Sequence, residues 1–305
     1  MMQRSISIVE VGARDGLQNE PGVFATDNKV ALISRVLAAG VRRLEVASFV
    51  HPKRVPQMAD AEAVAAALPE LAGVSYIGLV LNVKGAERAL ATRVHELGAV
   101  VVASDTFGRK NQGQTMAEGI AEAARILAMA RAAKRAAQVT ISAAFGCPFE
   151  GEVPAARVIS IARAMADAGA AEIALADTIG AAVPSQVEDL VGDIKAALPG
   201  LALRAHFHNT RNTGIANAYA AAAAGVATLD ASLGGIGGCP FAPRATGNIP
   251  TEDLVYMLER SGFATSVNLE ALISASRWLE ETLGRAVPGL VSKAGVFPRP
   301  QSQTA

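Results

Sequence analysis

The sequence is poor in cysteine, in aromatic residues and in unbalanced charge. Its two cysteines, Cys147 and Cys239, among 305 residues fit a reduced cytoplasmic chain better than a secreted disulfide scaffold. Lys+Arg and Asp+Glu number 28 each, so no excess of positive charge is available for a nucleic-acid backbone. No uncharged apolar stretch reaches the ~18–20 residues of a membrane span, and the first residues lack the apolar region of a signal peptide. We therefore expect a globular cytoplasmic protein that binds neither nucleic acid nor membrane.

Short apolar segments alternate with segments of helical periodicity along the chain. This alternation predicts parallel strands joined by helical crossovers. Eight such units over about 260 residues favour a TIM (β/α)8 barrel with additional C-terminal helices. A doubly wound sheet is the alternative, but the turn after the first strand lacks G-x-G-x-x-G. The predicted strands are Ile6–Val11, Arg43–Phe49, Ser75–Val80, Ala99–Ala103, Val139–Ala144, Glu172–Ala176, Leu203–His208 and Thr228–Ser232. The predicted helices are Lys29–Ala39, Ala59–Leu68, Ala86–Leu97, Thr115–Ala133, Pro154–Ala168, Pro184–Ala197, Thr213–Ala224 and Glu252–Arg260.

The last part of the chain lies beyond the eight predicted units. We expect residues 1–265 to form the catalytic barrel and residues 266–305 to form a helical extension with a mobile tail. The segment Leu269–Leu283 has the periodicity of an amphipathic helix.

The active site of a TIM barrel lies at the carboxyl ends of its strands, so the polar residues there are the candidates. His206 and His208, two residues apart on a strand, point to the same side. With Asp15 they would form a mixed nitrogen and oxygen site for a divalent metal. The alternative is a pair of buried, hydrogen-bonded histidines.

Three further charged residues follow or interrupt strands. Arg14 beside Asp15 would stabilise an oxyanion, or the two would form a surface ion pair. Glu45 in an apolar strand is costly to bury unless it is paired, which favours a role in the site. Asp177 would have a similar role or would cap the next helix.

The two cysteines lie in different settings. Cys239 follows four glycines in Gly-Gly-Ile-Gly-Gly-Cys-Pro, a composition typical of a mobile loop whose thiol can transfer a proton. Its alternative is a small residue in a tight turn. Cys147 in Phe-Gly-Cys-Pro is more typical of packing.

The segment Val9–Glu20, Val-Glu-Val-Gly-Ala-Arg-Asp-Gly-Leu-Gln-Asn-Glu, strongly resembles the opening signature of the 3-hydroxy-3-methylglutaryl-CoA lyase family. Those enzymes belong to the metal-dependent TIM-barrel lyases and Claisen-type synthases. The resemblance covers roughly residues 6–285. Further matches in the same order are Leu44–Glu45 with Ser48–Val50, Pro52–Met58, Gly146–Gly151, Asp177–Gly180, Gly237–Ala242, Gly247–Asn248 and Thr251–Leu258.

The resemblance implies a role for each matching position. Arg14 would polarise the substrate carbonyl, Glu45 and Asp177 would support the site, and Cys239, reinforced by Glu252, would be the catalytic cysteine. The implied metal ligands are Asp15, His206, His208 and Asn248, and the implied substrate contacts are Arg14, Gln18, Asn82, Lys84 and Asn111, with Lys110 a further candidate for binding coenzyme A.

The implied reaction is the retro-Claisen cleavage of 3-hydroxy-3-methylglutaryl-CoA to acetyl-CoA and acetoacetate. It would use a divalent metal, with Mg or Mn as first choice. The expected partners are the acyl-CoA substrate and a second copy of the chain, in a homodimer or larger homo-oligomer.

Four positions depart from the family pattern. Asn209 replaces an aspartate, Arg211 adds a charge, His51 replaces a serine, and Gln138 replaces an arginine. These departures leave isohexenylglutaryl-CoA and citramalyl-CoA as alternative substrates.

Two alternatives lie outside this chemistry. A catalytically silent barrel would act as a binding subunit, and a Schiff-base aldolase would need a lysine in a predicted inner strand, where none occurs.

Overall fold

Eight parallel strands close into a barrel in chain order. The computed structural model describes residues 4–238 and 247–298. The strands are β1 Ser7–Glu10, β2 Arg43–Ser48, β3 Ser75–Leu79, β4 Glu96–Val102, β5 Ala136–Ser142, β6 Ile173–Asp177, β7 Leu203–Phe207 and β8 Thr228–Ala231. The helices are α1 Thr26–Ala38, α2 Ala61–Ala66, α3 Val83–Leu90, α4 Asp105–Gln112, α5 Met116–Ala132, α6 Ala155–Asp167, α7 Pro184–Ala197, α8 Gly214–Ala223, α9 Thr251–Arg260, α10 Leu269–Leu283 and α11 Val291–Ala294.

Strand β1 closes the barrel by pairing with both β2 and β8. Glu10 lies opposite Leu44 on one side and opposite Ala231 on the other. The predicted TIM barrel is therefore confirmed, and the doubly wound sheet is excluded. Since all strands are parallel, the residues that follow them gather at one rim.

Two parts of the secondary-structure prediction were wrong. The helix predicted at Ala86–Leu97 ends at Leu90, because Glu96 and Leu97 already pair with Ala136 and Ala137 in the sheet. Helix α4 was not predicted. Its buried residues are only Phe107 and Gly108, so it has no apolar stripe to reveal it.

The C-terminal helix α10 packs against α1. Leu272 and Leu279 are fully buried and belong to the same apolar cluster as Leu32 and Ile33 of α1. The residues after the eighth unit thus share the hydrophobic core of the barrel. Within residues 4–238 and 247–298, no helix is both long enough and apolar enough to cross a membrane.

Candidate active site and metal centre

Asp15, His206 and His208 meet at the carboxyl end of the barrel. Their ligand atoms lie within 4.8 Å of one another. Asp15 lies on a π-helical turn, Gly12–Gly16, directly after β1, while His206 is in β7 and His208 follows it. Asp15 Oδ2 is 3.9 Å from His206 Nε2 and 3.8 Å from His208 Nε2. The structure thus brings Asp15 to two histidines that are about 190 positions away in the sequence.

Asn248 completes this cluster. Its Nδ2 donates to Asp15 Oδ2 at 2.8 Å and to the carbonyl of Ile236 at 3.1 Å. Its Oδ1 is buried and has no hydrogen-bond partner among the described residues. A buried amide oxygen without a partner is costly, and a cation would satisfy it.

Arg14 lies against the cluster and is fixed by two carboxylates. Its Nε donates to Glu45 Oε1, and its Nη1 is 2.5 Å from Asp15 Oδ1. The register between β2 and β3 shifts directly after Glu45. Such an irregularity redirects side chains, which is consistent with the inward position of Glu45. Burial alone would raise the pKa of Asp15, but Arg14 and the two histidines hold that pKa well below its usual value. Asp15 is therefore an ionised carboxylate at neutral pH.

A divalent cation fits the charge of this region. Two groups of ion pairs extend from the cluster into the barrel interior, and His206 lies between Asp15 of one group and Asp230 of the other. Histidines are neutral when they bind metal. In the two groups together, five carboxylates face three guanidinium groups, which leaves two negative charges for a divalent ion. The carboxylates are those of Asp15, Glu45, Glu96, Glu172 and Asp230, and the guanidinium groups are those of Arg14, Arg43 and Arg204.

A cavity of about 720 Å³ opens above the cluster. Arg14, Asp15, Glu45 and both histidines line it, together with Gln18. Its size is typical of a small-molecule site. Of the predicted substrate contacts, Asn82 and Asn111 also line it.

The two lysines predicted near coenzyme A do not line the cavity. Lys84 is exposed on α3 and does not line the cavity. Lys110 is exposed on α4, with its Nζ 4.6 Å from the centre of the Phe149 ring.

Asp177 and Glu252 are buried outside the cavity. Asp177 Oδ1 and Oδ2 accept from the backbone N–H groups of Ala181 and Ala182, so this residue organises the entry to α7. Glu252 accepts from the backbone of Gly234 and from Ser276 Oγ. Both residues therefore support loops at the rim and do not face the space where a substrate would bind.

Cys239 lies outside the described residues. Gly238, the residue before it, lines the cavity, and its carbonyl accepts from Asn19 Nδ2 at 2.7 Å. Gly237 has φ +113, and a Cβ there would be 2.6 Å from Asn248 Nδ2, so only glycine fits beside this side chain. Cys147 is buried with its Sγ 2.9 Å from Ser104 Oγ.

The four departures from the family pattern have different surroundings. Asn209 Oδ1 accepts from the Gly214 backbone at the start of α8, and Arg211 donates to the carbonyls of Ile179 and Gly180. His51 is exposed and lines the cavity. Gln138 is buried, and its Oε1 accepts from Arg204 Nη2. Of the four, only His51 borders the space for a substrate.

Asp230 is a site residue that was not predicted from the sequence. Its Oδ2 is 3.2 Å from His206 Nδ1, inside the barrel. The signal was present, because Asp230 is a lone acid in a short apolar strand, as Glu45 is. Thr140 and Ser142 of β5 were also missed and line the cavity.

A closed parallel barrel with a nitrogen and oxygen cluster at its carboxyl rim defines a TIM-barrel enzyme with a candidate metal site. Comparison with known proteins narrows this class. Residues 5–279 match the HMGL-like family, and the chain belongs to it.

Two relatives and one solved structure show how close the similarity is. The chain is 48% identical to the (R)-citramalyl-CoA lyase of Chloroflexus aurantiacus, over 97% of this chain and 96% of that one. It is 41% identical to the hydroxymethylglutaryl-CoA lyase YngG of Bacillus subtilis, over 93% and 95%. An HMG-CoA lyase from Acinetobacter baumannii, solved with coenzyme A and 3-methylmalate, superimposes with a TM-score of 0.92 at 40% identity, over 97% and 98%. The predicted family is confirmed, and the chain is a lyase.

Proposed function

We propose that this lyase cleaves 3-hydroxy-3-methylglutaryl-CoA to acetyl-CoA and acetoacetate with a divalent metal, Mg or Mn. The observation that carries the proposal is the meeting of Asp15, His206 and His208 beside Arg14 at the base of the cavity. Asp15, His206, His208 and Asn248 would hold the metal. When bound, it would acidify the 3-hydroxyl group of the substrate.

The remaining steps need a base, an oxyanion-stabilising group and a proton donor. A base removes the hydroxyl proton, the C2–C3 bond breaks, and its electron pair stays on C2 as the enolate of acetyl-CoA. Arg14, fixed by Glu45, stabilises the negative charge on the thioester oxygen. Cys239 returns a proton to C2, so no covalent intermediate is needed. The ketone formed at C3 leaves as acetoacetate.

(R)-citramalyl-CoA is a second candidate substrate. The observation in its favour is the 48% identity to an (R)-citramalyl-CoA lyase, against 41% to a hydroxymethylglutaryl-CoA lyase. The two substrates differ by one methylene group between the hydroxyl-bearing carbon and the carboxylate. The same bond would break, and pyruvate would replace acetoacetate.

A direct comparison of the two thioesters tests the proposal. The purified protein is incubated with each of them and Mg²⁺ or Mn²⁺, with and without EDTA, and both keto acids are measured. We expect metal-dependent acetoacetate formation that disappears in His206→Ala and falls steeply in Cys239→Ala. His95→Ala is the matched control, because His95 stacks on Tyr76 away from the cavity.

Each contrary outcome has a definite meaning. Pyruvate formation with little acetoacetate would establish the second candidate. Turnover that is unchanged by EDTA and by His206→Ala would overturn the metal-dependent reaction.

A further inference from the structure

Arg204 lies in the barrel interior beneath the metal cluster, with 1% of its side chain exposed. Its Nε is 3.4 Å from Asp230 Oδ1 and 3.7 Å from Glu172 Oε2. Burying an arginine so completely is costly unless its charge is compensated. The two carboxylates provide that compensation.

Asp230 uses its two oxygens in opposite directions. Oδ1 faces Arg204, whereas Oδ2 faces His206 Nδ1 at 3.2 Å. Strand geometry produces this arrangement. Arg204 and His206 are two residues apart on β7, and β8 pairs beside them with Ala205 opposite Leu229.

We infer that Arg204 is a positioning residue that acts through Asp230 to set the tautomer and orientation of His206. With its charge fixed towards Arg204, Asp230 offers Oδ2 as an acceptor and places the imidazole proton on Nδ1. Nε2 is then left free on the side of Asp15. A carboxylate behind a metal-binding histidine typically has this effect. The inference rests on the proposed metal site.

His208 provides an internal comparison. Its Nδ1 is buried and has no hydrogen-bond partner among residues 4–238 and 247–298. The tautomer of His208 should therefore not depend on Asp230, while that of His206 should.

The test uses the isosteric variant Asp230→Asn. Arg204 attracts the amide oxygen, so the amide Nδ2 turns towards His206 Nδ1 and makes that nitrogen an acceptor. The proton moves to Nε2, where it blocks the metal. With ¹⁵N-labelled histidine, we expect His206 to change from the Nδ1–H to the Nε2–H tautomer while His208 does not change. The chain has only four histidines, so each signal can be assigned.

Metal affinity gives a second readout. Measured by calorimetry with Mn²⁺, the affinity of Asp230→Asn should fall by about 10–100-fold. When Arg204→Gln is added, no charge attracts the amide oxygen at position 230, so this oxygen can turn towards His206 Nδ1 again. The double variant should therefore bind Mn²⁺ more tightly than Asp230→Asn alone. Simple repulsion between Arg204 and the metal predicts instead that Arg204→Gln alone tightens binding in the parent protein.

The matched control is Glu122→Gln. Glu122 is a buried carboxylate on α5 that accepts from the Val83 backbone at 2.8 Å, outside the barrel. The variant Glu122→Gln should have the same His206 tautomer and the same Mn²⁺ affinity as the parent protein.

Two results would overturn the inference. One is an unchanged His206 tautomer in Asp230→Asn. The other is a double variant that binds no more tightly than Asp230→Asn. If the parent protein bound no Mn²⁺, the proposed function would fail, whereas the tautomers of the metal-free protein, measured at a pH where both imidazoles are neutral, would still decide the role of Asp230.

Discussion

Arg14 and Glu45 form a mostly buried ion pair, with side chains 12% and 3% exposed, in which Arg14 Nε donates to Glu45. A guanidinium group fixed in this way needs no reorganisation when negative charge develops in the cavity. Arg14 follows β1 and Glu45 lies within β2, so the pairing of these two strands sets the geometry of the ion pair.

Arg14→Lys should lower kcat much more than it raises KM. A lysine keeps the charge but cannot contact Glu45 and Asp15 through separate nitrogens. Loss of such a fixed donor costs about 10²–10³ in kcat, measured by steady-state kinetics on the substrate that the chain turns over. The exposed Arg42→Lys should retain full activity, and a similar kcat in both variants would count against this role of Arg14.

Glu252 should make the stability of the protein depend on pH. Burial raises its pKa from 4.5 to about 7, so the folded state keeps a proton that the unfolded state loses. The free energy of unfolding therefore falls as the pH rises between these two values. This difference in the pKa of Glu252 corresponds to at most about 3 kcal/mol in the free energy of unfolding.

Denaturation by urea between about pH 5 and pH 8 measures this effect. Glu252→Gln should give a flatter profile than the parent, because the amide stays neutral and keeps contact with Ser276. The exposed Glu270→Gln on α10 is the control, with the slope of the parent. Equal slopes in all three proteins would exclude Glu252 as the source.

Asn209→Ala should affect stability and leave substrate choice unchanged. Asn209 Oδ1 accepts from the Gly214 backbone at 3.0 Å, and its own backbone donates to Gly247. Loss of a contact at a helix start costs about 1 kcal/mol. The ratio of kcat/KM for the two candidate thioesters measures substrate choice. A ratio that shifts tenfold would instead place Asn209 among the residues that select the substrate.

Leu279→Ala should destabilise the whole barrel in one transition. Leu279 of α10 is fully buried in the same apolar cluster as α1. Removing such a side chain costs about 2–5 kcal/mol. Circular dichroism on heating should show a single transition at lower temperature. The half-buried Leu283→Ala should cost less, and a separate early transition would mean that the C-terminal helices unfold independently.

Local patterns in the sequence were sufficient to predict the barrel. Apolar strands and helical periodicity alternate, and the period of two places His206 and His208 on one side of β7. The sequence Gly12–Gly16 indicated that Arg14 and Asp15 lie at the same rim. Helix α4 escaped prediction because a mostly polar surface helix has no periodic apolar signal.

Tertiary structure alone decided which of these residues touch. Asp230 meets His206, and Arg204 meets Asp230, because closure of the barrel brings β8 between β7 and β1. Tertiary structure also placed Asn209 and Arg211 in loop contacts, although their departure from the family pattern pointed to the substrate. The sequence by itself determines the direction of each side chain from its own strand. Distances between side chains of different strands depend on the packing of the whole barrel.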